Sequence, residues 1–244
     1  MTGLGTLINM LTVAAGGTAG LLLGDRLPER MRGTIMQALG LATIAVAVTG
    51  LEPLVDPVRG LRRFVILIAS LIVGGLIGEA LRLEERLEAL GERVRGRFAS
   101  HDRAPSADDH SPFVEGFVIA STLFCVGPLT VLGAIEDGVG GSIRLLVVKS
   151  ALDGFASLGL ASVYGPGVLA SLLVILVYQG GLTLAAAWVD ALLTPEILAQ
   201  LGATGSLLVL GIALRLLELK EVRVVALMPA VVIAPAAAAV VAAL

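Results

Sequence analysis

Lys149 and Asp153 are the residues in this chain with the strongest chemical implication. They stand four positions apart in an otherwise apolar stretch, with Ser150 and Ser157 beside them. In a helix that spacing puts both charges on one face. An ionisable side chain inside a hydrocarbon layer costs about 2.5–3.5 kcal/mol on insertion scales, so it marks a function or an obligatory partner. Two readings follow from the residues. In one, the pair is a lock that neutralises itself and fixes helix register. In the other it is a switch, exchanging partners when a proton, an ion or an anionic substrate arrives.

The segment before it is polar in a related way. Glu115 and Thr122 are a heptad apart on one face, and Ser121 and Cys125 form the adjacent stripe. Gly127-Pro128 then interrupts the run. Proline lacks a backbone donor and suits the first turn of a new helix, so the expectation is two half-helices meeting near residues 126–128, against an ordinary proline kink. Half-helix ends expose backbone groups that must face protein or water. Asn9 and Gln179 read first as interhelical hydrogen bonds, worth about 0.6 kcal/mol on average. Glu136-Asp137-Gly138 reads as a solvated turn. The candidate ion or solute path is therefore Asn9, Glu115, Ser121, Thr122, Cys125, Gly127, Pro128, Lys149, Ser150, Asp153 and Gln179.

The elements that must hold these residues follow from composition. The chain has 244 residues, 57% of them hydrophobic and 15% charged, with a mean hydropathy of +0.95. Soluble domains are near half apolar and a quarter charged. A soluble enzyme, a nucleic-acid binder and a disordered regulator are excluded, and so is an outer-membrane barrel, whose strands alternate in short stretches. The expected fold class is an all-α membrane protein with about eight transmembrane helices, near 4–23, 33–51, 64–81, 114–135, 142–163, 166–189, 197–215 and 224–244. The break at Tyr164-Gly165-Pro166-Gly167 divides an uncharged run too long for one helix. Seven spans, with 114–140 re-entrant, is the competing count. Residues 1–81 form a three-span unit, 113–163 a central pair and 164–244 a second three-span unit. Between them, 82–112 starts as an amphipathic helix continuing out of the third span, with Leu83, Leu87, Leu90 and Val94 on one stripe, and ends as a flexible linker from Ala99.

Basic residues orient the spans. Twelve lysines and arginines fall on the side of the 82–112 segment and four on the other, with Lys149 inside a span. The positive-inside rule makes the first side cytoplasmic and both termini external, although Arg59, Arg62 and Arg63 on the outer side pull the other way. Gly16-Gly17, Asp25 and Pro28-Glu29 recur as Gly180-Gly181, Asp190 and Pro195-Glu196 at nearly the same spacing. With two spans between them, these units run in opposite directions, so inverted three-helix repeats are expected, as in many secondary transporters. Gly16, Gly20 and Gly24, and Gly74, Gly75 and Gly78, are small-residue packing faces. They serve contacts inside the protomer or a homo-oligomer.

No metal or cofactor is expected: His101 and His110 make no ligand pattern, and Cys125 is the sole cysteine. With no HExxH, GxSxG or P-loop lysine, no enzyme activity is expected either. The chain resembles a known family at Gly5-Thr6-Leu7 with Asn9, the glycine ladder and Pro28. The resemblance is densest at Glu115-Gly116-Phe117, Ala120-Ser121, Phe124-Cys125, Gly127-Pro128, Lys149-Ser150, Asp153-Gly154 and Tyr178-Gln179-Gly180. These are similar to the YqgA/YdfK-type bacterial inner-membrane proteins, a domain of unknown function. The resemblance implies a multi-pass inner-membrane protein and names no substrate. The functional expectation is a secondary transporter or channel-like permease for an ion or small polar solute, with the bilayer and that solute as partners and no nucleic acid. The alternative is a non-transporting sensor or assembly partner with a structural ion pair.

Overall fold

A computed structural model describes residues 2–24, 26–98 and 111–243. The linker expected from Ala99 lies almost wholly outside the described residues, as does Asp25 of the repeat pattern. All regular structure among the described residues is helical.

Three long helices open the chain: α1 (Leu4–Gly24), α2 (Glu29–Thr49) and α3 (Gly60–Ala80). Each has 21 residues, about 30 Å of helix and the thickness of a hydrocarbon core. α4 (Leu83–Phe98) follows, then α5 (Pro112–Val126) and α6 (Pro128–Gly138), which meet at 60°. Next come α7 (Arg144–Tyr164), α8 (Gly167–Ala170) and α9 (Leu172–Leu184), which together make one span, and the short α10 (Ala186–Asp190). α11 (Pro195–Leu216), α12 (Val224–Leu227) and α13 (Ala230–Ala243) close the bundle. Seven spans pass on length and hydropathy, and the bent α5–α6 pair makes an eighth if it crosses.

Packing directions decide that point. α1 and α7 run parallel: Gly5 abuts Leu146, Gly16 abuts Gly154, and Gly24 abuts Ser162. α7 therefore begins at the end of the bundle where α1 begins. α5 starts at the opposite end, with Gly116 against Tyr164 and Phe113 against Gly167. The end of α6 lies beside Gly5, whose backbone N–H donates to Asp137. The bent pair thus traverses the bundle from one end to the other, as a broken span and not as a re-entrant loop. α2 packs antiparallel to α11, with Gly40 on Leu217 and Gly50 on Ser206. α3 packs antiparallel to α13 and its leading turn, with Gly74 on Ala230 and Gly78 on Ala226. α1 is antiparallel to α8–α9, with Thr6 on Thr183 and Gly17 on Leu169.

One sequence alternative is narrowed and one expectation needs correction. The glycine faces are used inside the protomer. A Cβ on Gly16 would sit 2.1 Å from the Gly154 carbonyl oxygen, and one on Gly78 would sit 1.9 Å from that of Ala226. Backbones approach this closely only where a small residue such as glycine removes the side chain between them, so these ladders are filled within the protomer. The leucine stripe, in turn, does not continue α3. The backbone turns at Arg82, in the left-handed region at φ 51. Leu83 and Leu87 then fold α4 back onto Val114, Phe117, Val118 and Val225, while Leu90 stays exposed. The remaining boundaries differ from expectation mainly at helix starts. α2 and α3 begin four residues early because Glu29 and Gly60 take the first turn at the membrane edge.

The core is built around α5, α7 and α11, with Ile119, Phe124, Leu160, Leu208 and Ile212 in one buried cluster. These three helices hold the candidate site at the centre of the bundle.

Candidate functional site

The break between α5 and α6 is built locally. Gly127 adopts an extended backbone at φ −67, ψ 147, and α6 restarts at Pro128. The carbonyls stranded at the end of α5 need donors. Thr130, fully buried, supplies one: its hydroxyl donates to the Phe124 carbonyl at 3.0 Å, and its N–H donates to Gly127. This opening faces the first half of α7, where Lys149 and Asp153 are the sixth and tenth residues.

Lys149 Nζ and Asp153 Oδ2 are in direct contact, and both residues are buried. Asn9 Nδ2 donates to Asp153 Oδ2 at 3.1 Å and to Gln179 Oε1 at 3.0 Å. Gln179 Nε2 donates to Thr6 Oγ1 at 3.2 Å. The Thr183 hydroxyl donates to the Gln179 carbonyl, so Thr6 supplies the proton of the 3.1 Å bond between the two threonines. A continuous buried polar chain therefore links α7, α1 and α9. Asn9 and Gln179, isolated in the sequence, are both fully buried in it. The Asn9 Oδ1 atom is buried without a hydrogen-bond partner.

Lys149 and Asp153 also line a cavity of about 390 Å³. Its walls come from α2, α5, α6, α7 and α11: Leu39, Val46, Leu123, Leu132, Leu152, Phe155 and Val209 are apolar, and Thr43, Thr130 and Ser206 add hydroxyls. Gly127 lies on the wall at the helix break. Cys125 is buried at the end of α5. The hydroxyls of Ser150 and Thr122 are taken up by carbonyls one turn back, Leu146 and Val118. Ser121 Oγ is buried and unpartnered.

Glu115 does not join this group. It lies beside Tyr164 at the far end of α7, about 22 Å of helix from Lys149, with Arg215 Nη2 at 3.6 Å. There it lines a separate cleft of about 520 Å³ with Glu84, Glu85, Glu88, Glu92, Glu221, Arg215 and Arg223. Burial pushes the Glu84 carboxyl above the ordinary carboxylate range, against the Ala226 backbone N–H and Arg215, which pull it down.

Sequence reasoning misses four groups. Asp137, read as part of a solvated turn, is buried and accepts from Gly5 N at 3.1 Å, because α6 ends against α1 and not in solvent. Thr6 and Thr183 complete the polar chain; their signal is spacing, three before Asn9 and four after Gln179. Glu196 collects Arg59, Arg62 and Arg63. Arg63 grips it with Nε at 3.1 Å and Nη2 at 2.8 Å, Arg62 approaches at 3.3 Å and Arg59 at 3.7 Å. Nearby, the backbone N–H groups of Arg59 and Val58 hold the Asp56 carboxyl below its usual range. The three arginines of this loop thus gather on Glu196, with Asp56 3.7 Å from Arg63.

Comparison with known proteins places the chain. Residues 4–239 match the family model described as "Protein of unknown function (DUF554)". The chain is 32% identical over 231 residues to the uncharacterized protein YqgA of Escherichia coli (strain K12), covering 95% of this chain and 94% of that protein. It is 28% identical over 231 residues to the uncharacterized membrane protein YdfK of Bacillus subtilis (strain 168), covering 95% and 93%. No solved structure matches. The chain belongs to the DUF554 family, as its central motifs suggest.

Proposed function

We propose that this DUF554 protein is a secondary transporter or channel-like permease that moves an ion or small polar solute across the bacterial inner membrane. The observation that carries the reading is the cavity whose wall includes both Lys149 and Asp153. A pair serving only to lock helix register needs no access to a cavity. Here the charges meet open volume beside a broken helix, an arrangement that suits a solute site. Lys149 is the fixed or titrating cation and Asp153 its counter-ion. Asn9 holds Asp153 from behind and is itself held by Gln179, while Ser121, Thr122, Cys125 and Ser150 are buried nearby but do not line the cavity. Glu115 belongs to the opposite vestibule. No covalent step is assigned to any residue.

Inverted repeats are part of the proposal. α1 with α8–α9, α2 with α11, and α3 with α13 are the pairs an inverted three-helix repeat relates. Each pair is in contact and antiparallel, which supports a two-fold axis in the membrane plane. The count of basic residues on the two sides supports external termini. The sensor or assembly reading draws its support from the closed hydrogen bonding of Asn9, Gln179, Thr6 and Thr183, which resembles a structural core.

The deciding experiment is flux from reconstituted vesicles loaded in turn with Na+, K+, Cl− and small neutral or zwitterionic solutes. The wild type is expected to release at least one of them. The double variant Lys149→Met with Asp153→Leu, which removes both charges and roughly keeps volume, is expected to fold and release none. Full flux from the double variant would make the pair a structural lock.

A further inference from the structure

The cavity beside the ion pair has a composition that selects its occupant. Its two charges are one positive and one negative, adjacent on α7 and both buried, so the site is electrically neutral when empty. A simple cation drawn to Asp153 would leave Lys149 unpaired, and a simple anion drawn to Lys149 would leave Asp153 unpaired. Breaking a buried pair by satisfying one member only is strongly unfavourable. A zwitterion avoids that cost, since its carboxylate replaces Asp153 at Lys149 and its ammonium replaces Lys149 at Asp153.

The rest of the wall is aliphatic or aromatic, from Leu39, Val46, Leu123, Leu152, Phe155 and Val209, with no further charge. About 390 Å³ falls at the small end of ligand pockets, enough for a small molecule and too little for a long chain or a sugar polymer. α2 and α7 touch at Leu39 and Gly159. Beyond that contact the space opens between Val46 and Thr49 on one side and Leu152 and Phe155 on the other, reaching Gly50 at the end of the second span. The cavity thus extends from the charged pair to Thr49 and Gly50 at the end of α2.

We infer that the cavity is a binding site for a zwitterionic α-amino acid with an aliphatic side chain, its carboxylate on Lys149, its ammonium on Asp153 and its side chain against Leu39, Leu123, Leu152 and Val209. This rests on the transport reading and names its solute class. Ser206 stands on the same wall as a hydroxyl donor for the carboxylate.

The test is binding of tritiated L-leucine to purified full-length protein in detergent micelles, by scintillation proximity, with competitors that each lack one element. Unlabelled L-leucine and L-valine are expected to displace the label. Isoamylamine has no carboxylate and 4-methylvalerate no ammonium; each is expected to bind about 100-fold weaker or worse, because each strands one buried charge. Glycine, with both charges and no side chain, is expected to bind roughly 10-fold weaker or worse. The double variant Lys149→Met with Asp153→Leu is expected to lose the label, and the competitor series on the wild type does not depend on that variant folding. Competition by 4-methylvalerate or decanoate equal to that by leucine would overturn the inference in favour of an anionic amphiphile entering between α2 and α7. Absence of leucine binding to folded protein would also overturn it. If charge-pair-dependent flux of another solute persisted in vesicles, the transport reading would stand without it.

Discussion

Replacing Gly16, Gly20 and Gly24 one at a time with alanine should destabilise the bundle in a graded order. The added Cβ would lie 2.1 Å from the Gly154 carbonyl oxygen at position 16, 2.3 Å from the Leu158 carbonyl oxygen at position 20, and 2.7 Å from the Ser162 carbonyl oxygen at position 24. These neighbours are backbone atoms and cannot rotate away, so α1 and α7 must separate by roughly an ångström at the tightest point to restore ordinary contact. Overpacking of this kind costs about 1–3 kcal/mol, and the helical gain of alanine over glycine returns about 0.5–1 kcal/mol. Gly16→Ala should therefore lose roughly 1–2 kcal/mol, Gly20→Ala slightly less, and Gly24→Ala least. Two controls fix the cause. A Cβ at Gly33 meets nothing within 4 Å, so Gly33→Ala should be neutral or stabilising. Gly154→Ala touches the same helix pair, but its Cβ meets Thr12 only at 3.4 Å, so it should be milder than Gly16→Ala. The assay is unfolding in mixed micelles titrated with sodium dodecyl sulfate and followed by circular dichroism. If Gly16→Ala unfolded at the same detergent fraction as Gly33→Ala, the close α1–α7 approach would be wrong.

Three further outcomes are expected. In the same assay Lys149→Met alone and Asp153→Leu alone should each lose about 3–5 kcal/mol and the double variant little, because only the singles strand a buried charge; equal losses in all three would refute direct pairing. Glu84, whose carboxyl is raised by burial, contributes stability that is full below its unfolded value near 4.5 and is lost as pH rises through the folded value. Glu84→Gln should therefore flatten the stability profile just above pH 4.5, and an unchanged slope there would remove Glu84 as its source. A reporter fused after Leu244 should read as external and one inserted at Ala107 as cytoplasmic; both on one side would break the eight-span model.

Much of the architecture is legible in hydropathy, because a crossing helix must be apolar along its whole length whatever it packs against. The break at Gly127 and the turn at Gly165 are legible for a related reason, since glycine and proline act on the local backbone. Side-chain neighbours are another matter. Nothing in the spacing of Asn9 says that it meets Asp153, because the contact depends on α1 packing directly against α7, and that rests on a glycine ladder facing residues distant in the chain. Glu115 shows the opposite error: it shares a helix stripe with the residues near Lys149, but a stripe runs the length of the membrane and its two ends are different places. Asp137 looks like a turn residue because the residues around it do; only the docking of α6 on α1 buries it.

The pairing of α1 with α7 also bears on how the protein is made. Asn9 and Asp153 are separated by 144 positions, and chains emerge at about 5–20 residues per second, so α1 waits on the order of ten to thirty seconds for the helix it fits. Through that interval its glycine face and its asparagine have only lipid and the earlier spans beside them. α7 then arrives with Lys149 and Asp153 already joined, a helix that enters the bilayer as a neutral unit and needs no waiting counter-charge. Assembly is thereby ordered: the last contact to form is the one that completes the polar chain. A nascent protein halted before Arg144 has α5 but neither α7 nor α11, the other two helices around which the core is built.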